Sequence, residues 1–404
     1  MEGQLRAAFR ERGGVLFALV AALLFALSYG VFYSLCNSPA SDISIHAAWA
    51  AEGDFRDLSS FFHHGAHPMW HMLTALLLLT GAPLPVAAAL VTALCKLLEF
   101  LLIHRLFRRY LRDCCSRVGI VLAALCCVLV SSLCVPWYNP TVYLGVGSPN
   151  TWHSPTQMIA MVWMLLCVPY TAHCFDRFRV LADRDGAGAV LPWKEPVLLC
   201  LLLLCSLAAK PTFMQTFLPA ACLFFLAMGI RRPKNSRFFL QMVGCVLPAV
   251  ALMVLQYMYY FGIIVPSQGD MVLEISARKL KNVLIATLLI QGFPLFALFT
   301  DRDGKKDTLF WLTVLTDGVG VLEYLILGEN GRRAADGNFG WGMMGAALML
   351  WAVMLPRFLR DFKLRWAKEK RLTVRYGVGG ALLGWHLASG IYYLYYLLST
   401  GNWL

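Results

Sequence analysis

Long apolar runs alternate with short polar segments along the whole chain of 404 residues. Most runs extend over about 17–25 residues, the length that an α-helix needs to cross ~30 Å of hydrocarbon. Hydrophobic residues make up 59% of the chain and charged residues only 14%. This pattern predicts an all-α polytopic membrane protein, built as a single integral membrane domain over residues 1–404.

Clusters of Lys and Arg separate the apolar runs. They lie in segments 6–12, 105–117, 177–194, 231–237, 302–306 and 357–375. Basic residues that flank spans stay on the cytoplasmic side, so these segments are predicted to share that face, together with the N-terminus. The same bias explains the net charge of +12, so we predict membrane lipids and no nucleic acid as partners. The predicted location is the plasma membrane of the cell.

Alternation between the two faces predicts about eleven transmembrane helices. The predicted spans are 15–35, 86–104, 118–135, 156–173, 196–209, 212–230, 238–263, 282–300, 308–327, 341–356 and 376–398. The run 69–80 is too short to cross and is predicted to be an interfacial or re-entrant helix on the outer side. The outer loops are then 36–85, 136–155, 264–281 and 328–340, and they hold nearly every unusual polar residue.

The first outer loop, 36–85, is the richest of these segments. The spacing of Ile45, Ala48 and Trp49 predicts a short amphipathic helix that lies flat on the outer surface. Asp42 is at its N-cap position. Because Asp is a good N-cap residue, a capping role for Asp42 stands beside a chemical one.

Four histidines in this loop have a spacing that could allow them to bind a metal ion. They are His63, His64, His67 and His71. His67 and His71 would share one face of a helix that extended back far enough, and imidazole is a common ligand of divalent metals. Pro68 opposes helical geometry at His67, so histidines that form ordinary hydrogen bonds are the alternative. A divalent metal is the only cofactor that the sequence raises.

Several short motifs resemble the multi-pass type-C glycosyltransferases. They are Asp42 after the first span, the surface helix, the step Gly53-Asp54-Phe55, the segment His67-Pro68-Met69-Trp70-His71, and Ala209-Lys210-Pro211 at an outer span boundary. The resemblance implies transfer of a sugar from a polyprenyl-phosphate-linked donor to a glycan, lipid or protein acceptor at the outer face. It also implies that Asp42 is the general base or orients the acceptor. Many members of these families have paired carboxylates here, whereas this chain has Ser41-Asp42.

An inverting transfer needs a carboxylate for the acceptor proton and a cationic site for the departing lipid phosphate. Lys210 is the best single cation, since it interrupts an apolar stretch where an unpaired charge is costly; snorkelling toward headgroups is the alternative. Arg332 and Arg333 lie outside against the charge bias and suit bidentate phosphate contacts. A solvated turn neutralised by Glu329 and Asp336 is the alternative for this pair.

Other polar residues of the outer loops are predicted to contact the sugar or the phosphate. They are Glu329, Asn338, His46, Asn150 and His153. Within the second span, Lys96 and Glu99 are three residues apart, which predicts an ion pair inside the membrane.

Three functions are compatible with this layout. The leading hypothesis is the glycosyltransferase, with Asp42 as base and with Lys210, Arg332 and Arg333 on the lipid phosphate. A transporter or flippase of a lipid-linked or anionic solute would have broken spans and charges near the bilayer midplane. A polysaccharide polymerase or ligase shares the lipid carrier but usually has one large late outer loop, whereas loop 328–340 is short.

Overall fold

The computed structural model describes residues 2–39, 41–138, 147–264, 271–302, 307–330 and 337–400. About 79% of the described residues are helical, and these ranges contain thirteen α-helices. Eight of the described helices are long and apolar enough to cross a membrane. The prediction of a helical protein with many membrane-length apolar helices is therefore confirmed, and the count of eleven spans stays a prediction.

The helices follow one another with short connections. They are α1 (Glu2–Cys36), α2 (Asp42–Ala51), α3 (Met69–Leu78), α4 (Leu84–Leu111), α5 (Arg117–Leu129), α6 (Pro155–Asp185), α7 (Lys194–Ala209), α8 (Pro211–Arg231), α9 (Ser236–Tyr260), α10 (Ala277–Phe299), α11 (Thr308–Ile326), α12 (Gly340–Glu369) and α13 (Val374–Thr400). The eight membrane-length apolar helices are α1, α4, α6 and α8–α12. The other three predicted spans correspond to α5, α7 and α13, of 13, 16 and 27 residues.

The chain between α1 and α4 folds into the two short helices that the sequence predicts, α2 and α3. The N-cap of α2 is Ser41, whose hydroxyl accepts a hydrogen bond from the Ser44 N–H at 3.0 Å. Asp42 is the first residue inside the helix, so its predicted N-cap position is wrong by one residue. Because Ser41 does the capping, the Asp42 carboxylate is available for another task.

A two-stranded antiparallel ribbon joins two of the predicted loops. Strand β1 (Met271–Leu273) pairs with β2 (Leu327–Glu329). The prediction of an all-α protein omitted this ribbon because three-residue strands are too short to leave an alternating pattern. Helix α10 begins at Ala277, inside the predicted loop 264–281, and Ser276 caps it by accepting from the Lys279 N–H at 3.1 Å.

Helix α12 forms the centre of the bundle. Every residue from Met343 to Phe358 is buried, as expected for a helix that is surrounded on all sides. Close packing depends on Gly342, where an added Cβ would lie 2.8 Å from the Thr212 carbonyl oxygen of α8. By contrast, Leu240, Val243 and Leu247 form one face of α9 and are 61–70% exposed. An apolar face of this kind suits contact with lipid tails.

Helix α10 is broken in its middle. Gln291 has non-helical backbone angles (φ −123°, ψ 16°), and Pro294, three residues further on, has no N–H to donate. The Ile290 carbonyl therefore lacks its helical partner and accepts a hydrogen bond from Trp351 Nε1 of α12 at 3.2 Å.

Two further segments of the chain form hydrogen bonds with the backbone groups at the break. The Leu289 carbonyl accepts from the Leu133 N–H at 2.8 Å, in the extended chain that follows α5. The Phe293 N–H donates to His386 Nε2 of α13 at 3.2 Å, and His386 Nδ1 donates to the Ser131 carbonyl at 2.7 Å. The backbone groups that the break leaves unpaired thus find hydrogen-bond partners in both earlier and later parts of the chain. Inside an apolar bundle, such groups need partners within the protein.

A buried ion pair lies inside the bundle on α4. Lys96 Nζ is 2.8 Å from Glu99 Oε2, and both side chains are fully buried. The ammonium also lies 4.7 Å from the centre of the Trp152 ring. The pair predicted from the three-residue spacing is confirmed.

Ion pairs between basic and acidic residues collect at one end of the bundle. They are Arg109–Asp307 at 3.3 Å, Arg357–Asp301 at 2.8 Å, Arg177–Glu195 at 2.9 Å and Arg232–Asp183 at 3.6 Å. Helix α8 has Arg232 just past its last residue and Lys210 just before its first. Helix α11 has Asp307 at its start, and Glu329 follows its end. The ion pairs and the residues described next therefore occupy opposite ends of the helices.

Candidate functional site

A cavity of about 450 Å³ lies where the ends of α2, α8, α9 and α12 meet. Its lining includes seven residues that the sequence singles out. They are Asp42, His46, His64, His67, Lys210, Glu329 and Asn338. These residues come from both halves of the chain, so the fold brings together groups that are far apart in sequence.

Asp42 reaches this cavity from the first turn of α2. Its side chain is 28% exposed, and one carboxylate oxygen lies 3.6 Å from His46 Nε2, one helical turn away. His46 Nδ1 in turn lies 2.9 Å from His71 Nε2 of α3. Two aromatic rings contact the His46 ring edge-on, Trp49 at 4.8 Å and Trp70 at 6.3 Å between ring centres.

Both histidines of this contact are neutral at pH 7. Burial lowers the pKa of His46 well below its usual value, and the charges of His71 and Lys210 lower it further. Burial also lowers the pKa of His71 to about 4. A neutral imidazole has one donor and one acceptor nitrogen, which suits a chain of hydrogen bonds.

Lys210 supplies the cation of the cavity. It is an extended residue between α7 and α8, and its ammonium lies 4.2 Å from the centre of the Trp341 ring. Burial lowers the pKa of Lys210 to about 8, although the Asp42 carboxylate favours the charged form. The side chain is therefore mostly protonated at pH 7, in front of an aromatic face and at the N-terminus of α8.

Glu329 and Asn338 form the wall opposite α2. Asn338 Nδ2 donates to Glu329 Oε2 at 2.6 Å, and the pairing of β2 with β1 holds Glu329 in place. Trp341 is held at the start of α12, where its carbonyl accepts from Gln157 Nε2 at 3.2 Å. An amide, a carboxylate and an indole ring thus line the cavity together, a combination that can bind sugar hydroxyls and a sugar face.

The remaining histidines of the loop have separate partners. The His64 ring stacks on Trp49, with 4.9 Å between ring centres, and its Nε2 lies 2.7 Å from a Glu52 oxygen. His67 Nδ1 contacts the Tyr260 hydroxyl of α9. His63 is exposed and is not among the residues that line the cavity.

The metal hypothesis for these histidines receives no support. Within the described ranges, no group of three or more His, Cys, Asp and Glu residues could hold a metal ion. The ring centres of His67 and His71 lie 6.3 Å apart, and Pro68, directly after His67, is the N-cap residue of α3.

Asn150 and His153 lie behind the cavity and not in its lining. Asn150 Nδ2 donates to the carbonyls of Cys127 and Val130, both at 2.8 Å, so it closes the end of α5. His153 Nδ1 is 2.7 Å from the Tyr393 hydroxyl, and its ring lies 6.0 Å from that of Trp341. Both residues are buried, since this part of the loop folds inward, and their contact with substrate stays a prediction. Arg332 and Arg333 lie outside the described residues.

Sequence reasoning missed the contribution of α9. Gln256, Tyr257 and Tyr260 line the cavity, and Gln256 Nε2 donates to the Ala66 carbonyl at 2.7 Å and to the Leu207 carbonyl at 2.9 Å. The sequence does contain a signal for this contribution of α9. It is the cluster of one amide and several tyrosines at the end of the predicted span 238–263. An aromatic belt at the interface produces the same pattern, so the signal is weak alone.

A second, apolar cavity of about 580 Å³ lies along helices α8 and α9. Its lining includes Phe217, Ala221 and Phe225 of α8 and Val246 and Val250 of α9. The polar cavity is lined by earlier residues of α8 and later residues of α9. The two cavities are thus about two helical turns or less apart along the α8–α9 pair.

No protein-family model matches the chain, and no curated protein has a matching sequence.

Proposed function

We propose that this protein is a membrane glycosyltransferase of the type-C class, which transfers a sugar from a polyprenyl-phosphate-linked donor to a glycan, lipid or protein acceptor. The observation that carries the proposal is the shared cavity of Asp42 and Lys210. A carboxylate and a cation in one cavity match the two requirements of an inverting transfer, a base for the acceptor and a partner for the departing phosphate.

The phosphate, the sugar and the isoprenoid chain of the donor bind to different residues of the two cavities. Lys210 and the N–H groups at the start of α8 contact the phosphate, because a helix N-terminus favours anions. The sugar lies against Trp341, within reach of Glu329 and Asn338. The isoprenoid chain extends along the apolar cavity between α8 and α9. Burial of a long hydrocarbon there contributes ~25 cal/mol per Å² of apolar surface to donor binding.

Asp42 acts as the general base of the transfer. The acceptor hydroxyl oxygen forms a bond to the anomeric carbon, and the bond from that carbon to the phosphate oxygen breaks. The electron pair of the broken bond leaves with the lipid phosphate, whose charge Lys210 offsets. The hydroxyl proton moves to a carboxylate oxygen of Asp42, and configuration at the anomeric carbon inverts.

We place the cavity on the outer face of the plasma membrane and the N-terminus in the cytoplasm, with eleven spans. The basic residues of the ion-paired helix ends support this orientation through the positive-inside bias. Lys210 and Glu329 occupy the opposite ends of α8 and α11 from Arg232 and Asp307.

Reconstitution tests the function directly. The purified protein is placed in liposomes with polyprenyl-phosphate-linked sugars from the source membranes, and sugar release and transfer to membrane acceptors are followed. We expect saturable binding of the lipid and turnover of the sugar. A wild-type protein that neither binds polyprenyl phosphate nor turns over any such donor would refute the proposal.

The pH dependence of donor binding tests the role of Lys210. Its ammonium is charged below a pKa of about 8 and neutral above it, whereas the phosphodiester keeps one negative charge throughout. We therefore expect donor affinity to fall by about tenfold between pH 7 and pH 9.5. Binding to vesicle-reconstituted protein is measured at each pH.

Two variants control this measurement. Lys210→Arg keeps its charge over the whole range, so its affinity is expected to stay constant with pH. Lys210→Met is expected to bind weakly at every pH. An equal loss of affinity above pH 8 in Lys210→Arg would assign the pH effect to another group.

One observation favours the transporter as a second candidate. The break in α10 at Gln291 resembles the discontinuous spans that transporters use near the bilayer midplane. Flux of polyprenyl-phosphate-linked sugar across sealed liposomes, without transfer to any acceptor, distinguishes this function from the glycosyltransferase.

A further inference from the structure

A line of three polar side chains leads from the interior of the protein to the cavity. His71 Nε2 is 2.9 Å from His46 Nδ1, and His46 Nε2 is 3.6 Å from an Asp42 oxygen. His71 and His46 are 6% and 8% exposed, whereas the Asp42 side chain is 28% exposed; His46 and Asp42 both line the cavity. The order along the line is therefore buried imidazole, buried imidazole, accessible carboxylate.

A hydrogen bond from this line to the carboxylate requires one arrangement of the imidazole protons. A carboxylate only accepts hydrogen bonds, so a hydrogen bond between His46 Nε2 and Asp42, now 3.6 Å apart, requires the proton of His46 on Nε2. A neutral His46 then has a lone pair at Nδ1, and His71 must donate to it through Nε2–H. Both N–H groups point the same way, from His71 through His46 to Asp42.

The surrounding residues hold the line in place. Trp49 and Trp70 pack edge-on against the His46 ring. Trp70 Nε1 donates to Thr92 Oγ1 of α4 at 3.1 Å, which fixes α3 against the bundle. His46 therefore has little freedom to rotate away, and its nitrogens keep their two assigned partners.

We propose that His46 and His71 are positioning residues that orient the Asp42 carboxylate for proton abstraction. The proposal rests on the glycosyltransferase function proposed above. His71 fixes the tautomer of His46, and the His46 N–H approaches Asp42, where the 3.6 Å separation shortens to a hydrogen bond once substrate is bound.

Other titratable groups also face this line and are part of its pH response. They are Lys210 from the α7–α8 connection, His64 and His67 from the loop before α3, His153 from the segment before α6, and Glu329 from β2. The charges of Lys210 and Asp42 influence each other, and Lys210 also acts on His46. A variant series at His71 is the cleanest test, because His71 does not line the cavity and leaves these groups unchanged.

His71→Leu and His71→Gln form a matched pair for this test. Leu removes the donor, whereas the Gln side-chain amide can take the position of His71 Nε2–H. We expect His71→Leu to lower kcat about tenfold, with the donor KM within about twofold of wild type. His71→Gln is expected to return kcat to within about threefold of wild type. His63→Leu, on the exposed neighbour, is expected to behave as wild type.

Loss of packing alone predicts a different outcome. In that case His71→Gln is as slow as His71→Leu, a result that overturns the proposal.

A spectroscopic measurement separates failure of this inference from failure of the proposed function. In ¹⁵N-histidine-labelled protein in lipid, we expect His46 and His71 to be neutral at pH 7 and protonated at Nε2, and His71→Leu to shift the His46 Nδ1 resonance. A wild-type His71 protonated at Nδ1 would overturn the inference, whether or not any donor is turned over. Absence of turnover with the expected resonances would reject the transferase function and with it the catalytic purpose of the line.

Discussion

Asp42→Asn is expected to lower the rate of sugar transfer by roughly 10²–10⁴-fold, the usual contribution of a general base. The amide keeps the size of the carboxylate but cannot take the acceptor proton. Because Asp42 is not the cap of α2, the substitution leaves the Ser41 hydrogen bond to Ser44 in place. We therefore expect unchanged folding and polyprenyl-phosphate affinity within about twofold of wild type.

Asp54→Asn provides the matched control. Asp54 is an exposed acid of the same loop that accepts a hydrogen bond from the Arg56 N–H at 2.9 Å and does not line the cavity. Its asparagine variant should transfer sugar at the wild-type rate. If Asp42→Asn and Asp54→Asn were equally active, the base would be another residue, and the role of Asp42 would be lost.

Glu99→Ala is expected to lower the free energy of unfolding by about 3–5 kcal/mol, because it leaves the buried Lys96 ammonium without its partner. The stacking of Lys96 on Trp152 offsets only a small part of this loss. Reversible unfolding in mixed micelles measures the difference. The double substitution Lys96→Met and Glu99→Leu should restore stability to within about 1 kcal/mol of wild type, since apolar residues of similar size need no charge partner.

Exposed Arg184–Asp185 serves as the comparison pair. Its atoms lie 2.7 Å apart at the end of α6, but water screens them, so Asp185→Ala should leave stability unchanged. If the double substitution on α4 were as unstable as Glu99→Ala alone, packing volume, and not charge, would govern the stability at this position.

The apolar pattern is sufficient to locate the helices of this protein, because a lipid-exposed span must satisfy its backbone internally. Helices α2 and α3 were also predictable, one from its spacing and the other from its insufficient length. The ribbon of β1 and β2 and the break at Gln291 were not. Both depend on partners that are distant in the chain, and no local pattern encodes those contacts.

The candidate site was predictable only in part. Asp42 was selected through the resemblance to type-C glycosyltransferases, and Lys210 because it interrupts an apolar stretch where an unpaired charge is costly. Asn150 was selected from the outer loop 136–155 but turns inward to close the end of α5. Tyr257 and Tyr260 were overlooked because tyrosines at a span end suit an interface equally well. Whether such a residue lines the cavity depends on which helix ends face one another, and this is a property of helix packing.

The backbone partners of the broken helix α10 also set an order of assembly. Leu133 is already synthesised when α10 enters the membrane, but His386 follows almost a hundred residues later, in α13. Until α13 arrives, the Phe293 N–H lacks its partner inside an apolar bundle, at a cost of about 1–3 kcal/mol. Helix α13 therefore closes the bend of α10, and the part of α10 after Gln291 reaches its final direction only once α13 has been synthesised.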